Sequence, residues 1–266
     1  MIAMCKTRGM RAGVLLLCVL IATWAAGCAA EEPAPDTDTE AYIEAVIEAH
    51  GGDILDRAIV TFTFREAQFT LEREDGRFHY RRAYADSLDQ RVVEGITNEE
   101  VYRVVEADTV ALDADARASI ETTVNSVAYF ALLPYPLQDP PVQATYAGLD
   151  TVRETPYHRV AVTFGEGGGA DYQDEFLYWF DANTHAMDYM AYAFGIGGPE
   201  EDQGTRFREA YNVRRVEGVR FADYRNYVSE SIEPETLSRY PAHWRDDAVE
   251  LVSTVEIEDV AVQPLP

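Results

Sequence analysis

Lysine is almost missing from this sequence: in 266 residues the only one is Lys6. Past that position no side-chain amine can form a Schiff base with a carbonyl substrate or with pyridoxal phosphate, which excludes lysine-dependent aldol and transamination chemistry. Cysteine is nearly as scarce. Cys5 and Cys18 lie in the N-terminal stretch and Cys28 is the last of the three, so the rest of the chain has no disulfide, no thiol nucleophile and no thiolate metal site. Positive charge is short as well, with 22 Lys+Arg against 47 Asp+Glu and a formal net charge of −25. A chain this acidic is no partner for nucleic acid. Acidity combined with arginine in place of lysine fits either a salty habitat or a GC-rich coding sequence. Catalytic motifs are missing too: there is no G-x-S-x-G, no HExxH and no glycine-rich phosphate loop, and His50, His79, His158, His185 and His243 stand isolated. No cofactor is expected from such a sequence.

Long apolar runs are also few. The stretch from Ala12 to Trp24 is shorter than the roughly 20 residues a membrane span needs. It follows Lys6, Arg8 and Arg11 and leads through Ala25, Ala26 and Gly27 into Cys28. This resembles a bacterial lipoprotein signal ending in its lipobox. The resemblance implies that residues 1–27 are removed and that Cys28 carries acyl chains, palmitate among them. These would hold the protein on a membrane of the cell envelope, expected to be the outer membrane, on its periplasmic or its cell-surface face. Residues 28–38 are acidic, small and proline-containing, a flexible tether that cannot bury enough apolar surface to fold. Glu31 and Glu32 fit a solvated linker, and also resemble the surface-export signal of Bacteroidota lipoproteins. From residue 39 to 266 composition does not break, so one domain is expected.

Within that domain Ile43, Val46, Ile47 and His50 recur at helical spacing before Gly51-Gly52, which predicts a short amphipathic helix with His50 as a charged cap on its C-terminal dipole. From Ile59 the period becomes two. Val60, Phe62 and Phe64 share a face, Phe69 and Leu71 continue it, and Glu74-Asp75-Gly76 turns the chain into Phe78, Tyr80 and Tyr84. The meander runs on to a long helix starting at Asp113 and stopped by Pro134 and Pro136, with Ile120, Val124, Val127 and Ala131 as its apolar stripe. Strands resume from Val142. Glu175 to Asp181 and His185 to Phe194 are apolar on both faces and need cover on both. Thr205 to Val213 and Val219 to Val228 make a hairpin over Glu217-Gly218, short helical turns carry Trp244, and Val249 to Val260 is expected as one last strand.

This order resembles the LolA/LolB-type architecture. It implies a mainly β (α+β) fold in which one strongly curved antiparallel sheet or incomplete barrel wraps around a long apolar helix. The blocks AHGG at 49–52, NSVAYFALLPYPLQDP at 125–140, GGGADYQDEFLYWFDANTHAMDYMAY at 167–192 and GTRFREAYN at 204–212 also resemble a family of uncharacterised bacterial lipoproteins. Neither resemblance supplies an activity.

Three constellations are candidates for function. Tyr129, Phe130, Tyr135, Tyr178, Phe180 and Tyr192 offer more aromatic surface than one helix covers, either a filled core or the wall of a pocket for a lipid or another hydrophobic small molecule. Arg206, Arg208 and Asn212 share a strand face beside Tyr224 and Asn226, either a head-group site for a carboxylate or phosphate or a solvent-facing surface paired with acids. Asp171 and Asp174 beside Gly167–Gly169 are weak metal candidates in what otherwise reads as a solvated hairpin loop. A non-enzymatic ligand-binding role is preferred. An envelope scaffold holding a protein partner of unknown kind, or a carboxylate-dependent hydrolase, are the alternatives.

Overall fold

The computed structural model describes residues 38–165 and 173–266. The described residues form two seven-stranded antiparallel sheets and a few helices. The first sheet contains β1 (Arg57–Phe64), β2 (Ala67–Glu74), β3 (Arg77–Ala85), β4 (Arg91–Thr97), β5 (Val101–Val105) and the two-residue β6 (Asp108–Thr109), in sequence order. Asp75 and Gly76 both adopt positive φ, the geometry a two-residue hairpin between right-twisted strands requires. Before this sheet come helices α1 (Thr39–Ala49) and α2 (Gly52–Leu55).

Helix α3 (Ala114–Leu132) then crosses over. The Asp113 carboxylate caps it, accepting from Ala116 N–H at 2.8 Å, and Pro134 and Pro136 stop it. Its sealed residues are Ile120, Val124, Ala128 and Leu132, so the buried stripe runs straight along i, i+4 in place of the expected turn towards Val127 and Ala131. The second sheet follows, again in sequence order: β7 (Val142–Val152), β8 (Thr155–Phe164), β9 (Glu175–Asp181), β10 (Met187–Phe194), β11 (Gly204–Val216), β12 (Val219–Val228) and β13 (Glu250–Val255). A 3₁₀ turn at Pro234–Arg239 and helix α4 (Tyr240–Arg245) lie between β12 and β13.

The expected single sheet is therefore two, and the expected last strand is split. β13 pairs with β12, whereas β14 (Glu258–Pro264) returns to pair with β1 in the first sheet. Between them the backbone of Ile257 is satisfied by side chains and not by a ladder. Its N–H donates to Asp223 Oδ1 at 3.1 Å and its carbonyl accepts from Arg214 Nη2 at 2.5 Å. A bulge in β11 between Tyr211 and Arg214 brings these groups to the corner and turns Asn212 onto Asp223 as well. Buried backbone groups need partners, and here the partners allow the chain to leave one sheet for the other.

One core joins the sheets. Val60, Phe62, Phe69 and Leu71 of the first, the four sealed residues of α3, and Val160, Phe176, Tyr178 and Met190 of the second belong to one apolar cluster. A second cluster covers the far face of β9 and β10, where Leu177, Trp179 and Tyr189 meet Phe207, Leu237, Tyr240 and Trp244. The hairpin that reads as apolar on both faces is thus covered on both, the outer cover coming from α4 and the turn before it.

The end of α1 is also held by distant chain. Arg215 Nη2 donates to the Ala49 carbonyl at 2.7 Å and Arg220 N–H to the His50 carbonyl at 2.9 Å. Gly51, at φ +83°, lies so close to Gly218 that a Cβ there would meet its carbonyl oxygen at 2.6 Å. His50 corrects the sequence reading. It is buried, with Nδ1 2.7 Å from the Val46 carbonyl and Nε2 accepting from Met187 N–H at 3.2 Å. Burial lowers its pKa to about 4, so it is a neutral bridge between α1 and β10 and not a charged cap.

Candidate functional site

The stretch of α3 from Ser126 to Ala131 faces the inner side of β11, β12 and β13, and between them lies a cavity of about 190 Å³. Phe64, Val127, Phe130, Ala131, Val255 and Ile257 give it apolar walls. Its polar groups are few: Arg208, Asn226, Ser126 and Ser253, with Tyr224 and the exposed Arg65 beside them. Alternation along β11 and β12 points Arg208 and Asn226 inward together, since the two are paired across the strands.

Arg208 is only 7% exposed. Its Nε donates to Asn226 Oδ1 at 2.7 Å and its Nη2 to the Tyr192 hydroxyl at 3.2 Å. Asn226 Nδ2 passes the chain on to Ser253 Oγ at 2.9 Å. The guanidinium lies 4.0 Å from the Phe130 ring centroid and 5.1 Å from that of Tyr192, and the ring faces offset part of its lost hydration. Burial raises the pKa of Tyr224, against the opposing pull of Arg220 and Arg208. The Tyr224 phenol therefore stays neutral at the cavity wall.

Two further hollows flank α3. One of about 360 Å³ shares Phe64, Arg65 and Val127 with the first and reaches Arg82 and Tyr84 on the first sheet. Arg82 and Arg103 hold the two oxygens of fully buried Glu94, each at 2.6 Å. The other, about 480 Å³, opens along Tyr129, Asn125 and Glu121 towards Arg73 and Asp139.

The residues singled out in the sequence divide among these places. Tyr129, Phe130, Tyr178 and Tyr192 come together: the Tyr129 and Tyr178 hydroxyls are 2.7 Å apart, and Phe130 lies 5.7 Å from Tyr192. Burial raises the pKa of both hydrogen-bonded phenols. Tyr178 and Phe180 are fully enclosed, stacked on each other at 6.1 Å, so their aromatic surface is spent on the core. Tyr135 sits apart, under Arg73 at 4.6 Å, with its hydroxyl donating to Asp56 Oδ1 at 2.5 Å. Arg206 lies over Phe194 at 5.0 Å and donates to its neighbour's carbonyl, Thr205, at 2.7 Å. The bulge removes Asn212 from the patch. Asp171 and the Gly167–Gly169 stretch fall outside the described residues, as does Cys28. Asp174 accepts from Gly195 N–H at 3.1 Å and braces that turn. Among the described residues no three His, Cys, Asp or Glu side chains converge as metal ligands would.

What sequence reading missed is that Arg208 is buried and that Ser126, Ser253 and Val127 join it. Two arginines on alternate residues look like a solvated strand face. Both point to the same side of β11, and the Phe130 ring of α3 covers Arg208.

A mainly β domain of two antiparallel seven-stranded sheets, with a small apolar cavity at a helix crossing, is the class of protein this geometry defines. The chain belongs to DUF6503, a family of unknown function whose model matches residues 11–259. No curated protein matches it. Among solved structures it is similar to a DUF1329 family protein from Desulfovibrio piger, with 12% identity, 84% of this chain and 92% of that one covered, and a TM-score of 0.37. It is also similar to a LolA superfamily protein from Nitrosomonas europaea, at 8% identity, with 84% and 94% covered and a TM-score of 0.46. A third similar structure is the lipoprotein LppX from Mycobacterium tuberculosis, at 11% identity, with 60% and 90% covered and a TM-score of 0.27.

Proposed function

We propose that this protein is a lipid-anchored envelope protein that binds a lipid or other hydrophobic small molecule in the cavity between α3 and β11–β13, without reacting with it. In this reading the two sheets act together as an incomplete barrel around α3. The observation that carries it is the cavity itself: about 190 Å³ with apolar walls, where an engineered apolar cavity of ~150 Å³ is enough to bind benzene. The polar groups that line it, Arg208, Asn226 and Ser253 among them, include hydrogen-bond donors suited to holding a ligand. Anchorage is supported by the basic flank, the short apolar run and the Ala26-Gly27-Cys28 sequence.

The test is native mass spectrometry with solvent extraction on protein purified from its own membranes, repeated with Ala131→Phe, which fills the cavity from α3. The expected result is a co-purifying hydrophobic species on the wild type and its loss from a folded Ala131→Phe variant. An empty wild type that also fails to take up a fluorescent acyl probe would leave the scaffold reading standing instead.

A further inference from the structure

We propose that the ligand of this cavity is an amphiphile ending in a carboxylate, with Arg208 as the residue that receives the head group. This rests on the ligand-binding reading above and adds a chemical class to it. In a chain with 47 acids, several arginines turned into the protein have found carboxylates, whereas half-buried Arg159 and Arg206 donate to backbone carbonyls. Arg82 and Arg103 hold Glu94, Arg214 holds Asp223, and Arg220 holds Asp188. Arg208 is 7% exposed, yet among the described residues no carboxylate lies within ion-pair distance of it. A buried cation left without a counter-charge is unfavourable, and two aromatic faces and two neutral acceptors offset only part of that. An incoming anion would supply the missing counter-charge through charge-assisted hydrogen bonds.

The hydrogen-bond inventory specifies the anion. A guanidinium carries five N–H groups, and those on Nη1 meet no acceptor among the described residues once Nε has gone to Asn226 and Nη2 to Tyr192. Because Asn226 Oδ1 faces Arg208, its Nδ2 donates to Ser253 Oγ, and the Ser253 hydroxyl hydrogen is left to donate elsewhere. Ser126 brings a second hydroxyl from α3. The Arg208 charge and three donor groups match the two oxygens of a single carboxylate, and the exposed Arg65 adds a second positive charge to the lining. Ser253 is exposed on an edge strand, whereas Arg208 and Asn226 are buried, so the head group lies at the inner end of the cavity and the tail along half-buried Val127, Phe130 and Ala131. By the benzene comparison, 190 Å³ takes a chain of roughly six to eight carbons. The adjoining hollow, which shares the Phe64 and Val127 wall, lies where a longer chain would continue.

Calorimetric titration of the full chain in nanodiscs, blanked against empty nanodiscs, with sodium octanoate, 1-octanol and sodium acetate tests this. Octanoate should bind about tenfold tighter than 1-octanol, the worth of one charge-assisted hydrogen bond, and acetate should not bind measurably. In Arg208→Met that preference should vanish while 1-octanol binding persists, and Arg208→Lys should retain part of it. Equal binding of octanoate and 1-octanol by the wild type overturns the head-group assignment and leaves the hydrophobic-ligand reading intact. If acetate binds as well as octanoate, the site is an anion site and not an amphiphile site. If neither octanoate nor 1-octanol binds, both readings fail. Should Arg208→Met not fold, the wild-type octanoate to octanol ratio, and its collapse at high salt, decides the matter.

Discussion

At the scale of single residues, polar groups inside this protein are neutralised in two distinct ways. Glu94 is enclosed by two arginines that take one oxygen each, so its charge is matched within the sheet. His50 is kept uncharged. Burial is the main cause of its lowered pKa, the Val46 carbonyl opposes the shift, and Arg220, Arg215 and His185 reinforce it. A histidine whose folded pKa is about 4 against an unfolded value near 6.5 takes up its proton more readily when unfolded. Its contribution is therefore complete above about pH 6.5 and is lost as pH falls towards 4, by roughly 3 kcal/mol over that window. Urea unfolding midpoints measured from pH 7.5 down to 4 should show this loss in the wild type and a shallower slope in His50→Gln. Parallel slopes in the two proteins would contradict it.

At the scale of elements, the least conspicuous one carries a heavy structural role. Helix α4 and the turn before it are short, yet they lay Tyr240 and Trp244 over an aromatic face of the second sheet. Tyr240 is stacked on Phe207 at 5.4 Å, Trp244 lies 5.6 Å from Tyr189, and Phe207 is stacked on Tyr189 at 5.6 Å. Arg153 closes over Trp244 at 3.5 Å, and the Tyr240 hydroxyl is 2.6 Å from that of Thr205. Removing a buried ring of this kind costs about 3–5 kcal/mol. Tyr240→Ala should lower the thermal midpoint by several degrees and raise dye binding to exposed apolar surface, because it uncovers Phe207, on which the Tyr240 ring is stacked. An unchanged midpoint would mean that the cover is dispensable. Helix α3 plays the complementary part on the inner face: its i, i+4 stripe is sealed, and its flank from Ser126 to Ala131 is left to form the cavity wall.

At the scale of the whole molecule, the proposal joins a membrane anchor to a ligand-binding domain. Among the described residues no helix is long and apolar enough to cross a bilayer, and the proposed attachment is through Cys28 alone. Replacing Cys28 by serine and fractionating the cells should move the protein from the membrane pellet to the soluble fraction, since acyl chains supply the membrane affinity. Continued sedimentation with the membrane would refute attachment at that residue and would leave the cavity's chemistry untouched.

Features governed by neighbours in the chain were readable before any coordinates. The Asp113 cap, the Asp75-Gly76 and Glu217-Gly218 turns, the alternating strands and the two-sided hairpin at Glu175 to Phe194 all follow from spacing and local backbone preference. Decisions taken between distant segments were not readable. Nothing local in Val249 to Val260 says that it must change sheets at Ile257, because the groups that satisfy that corner, Asp223 and Arg214, belong to other strands. Nothing local in Arg206 and Arg208 says which of the two is solvated and which is sealed. That is settled by Phe130 of α3 lying over Arg208, and burial, unlike periodicity, belongs to the packed chain and not to any stretch of it.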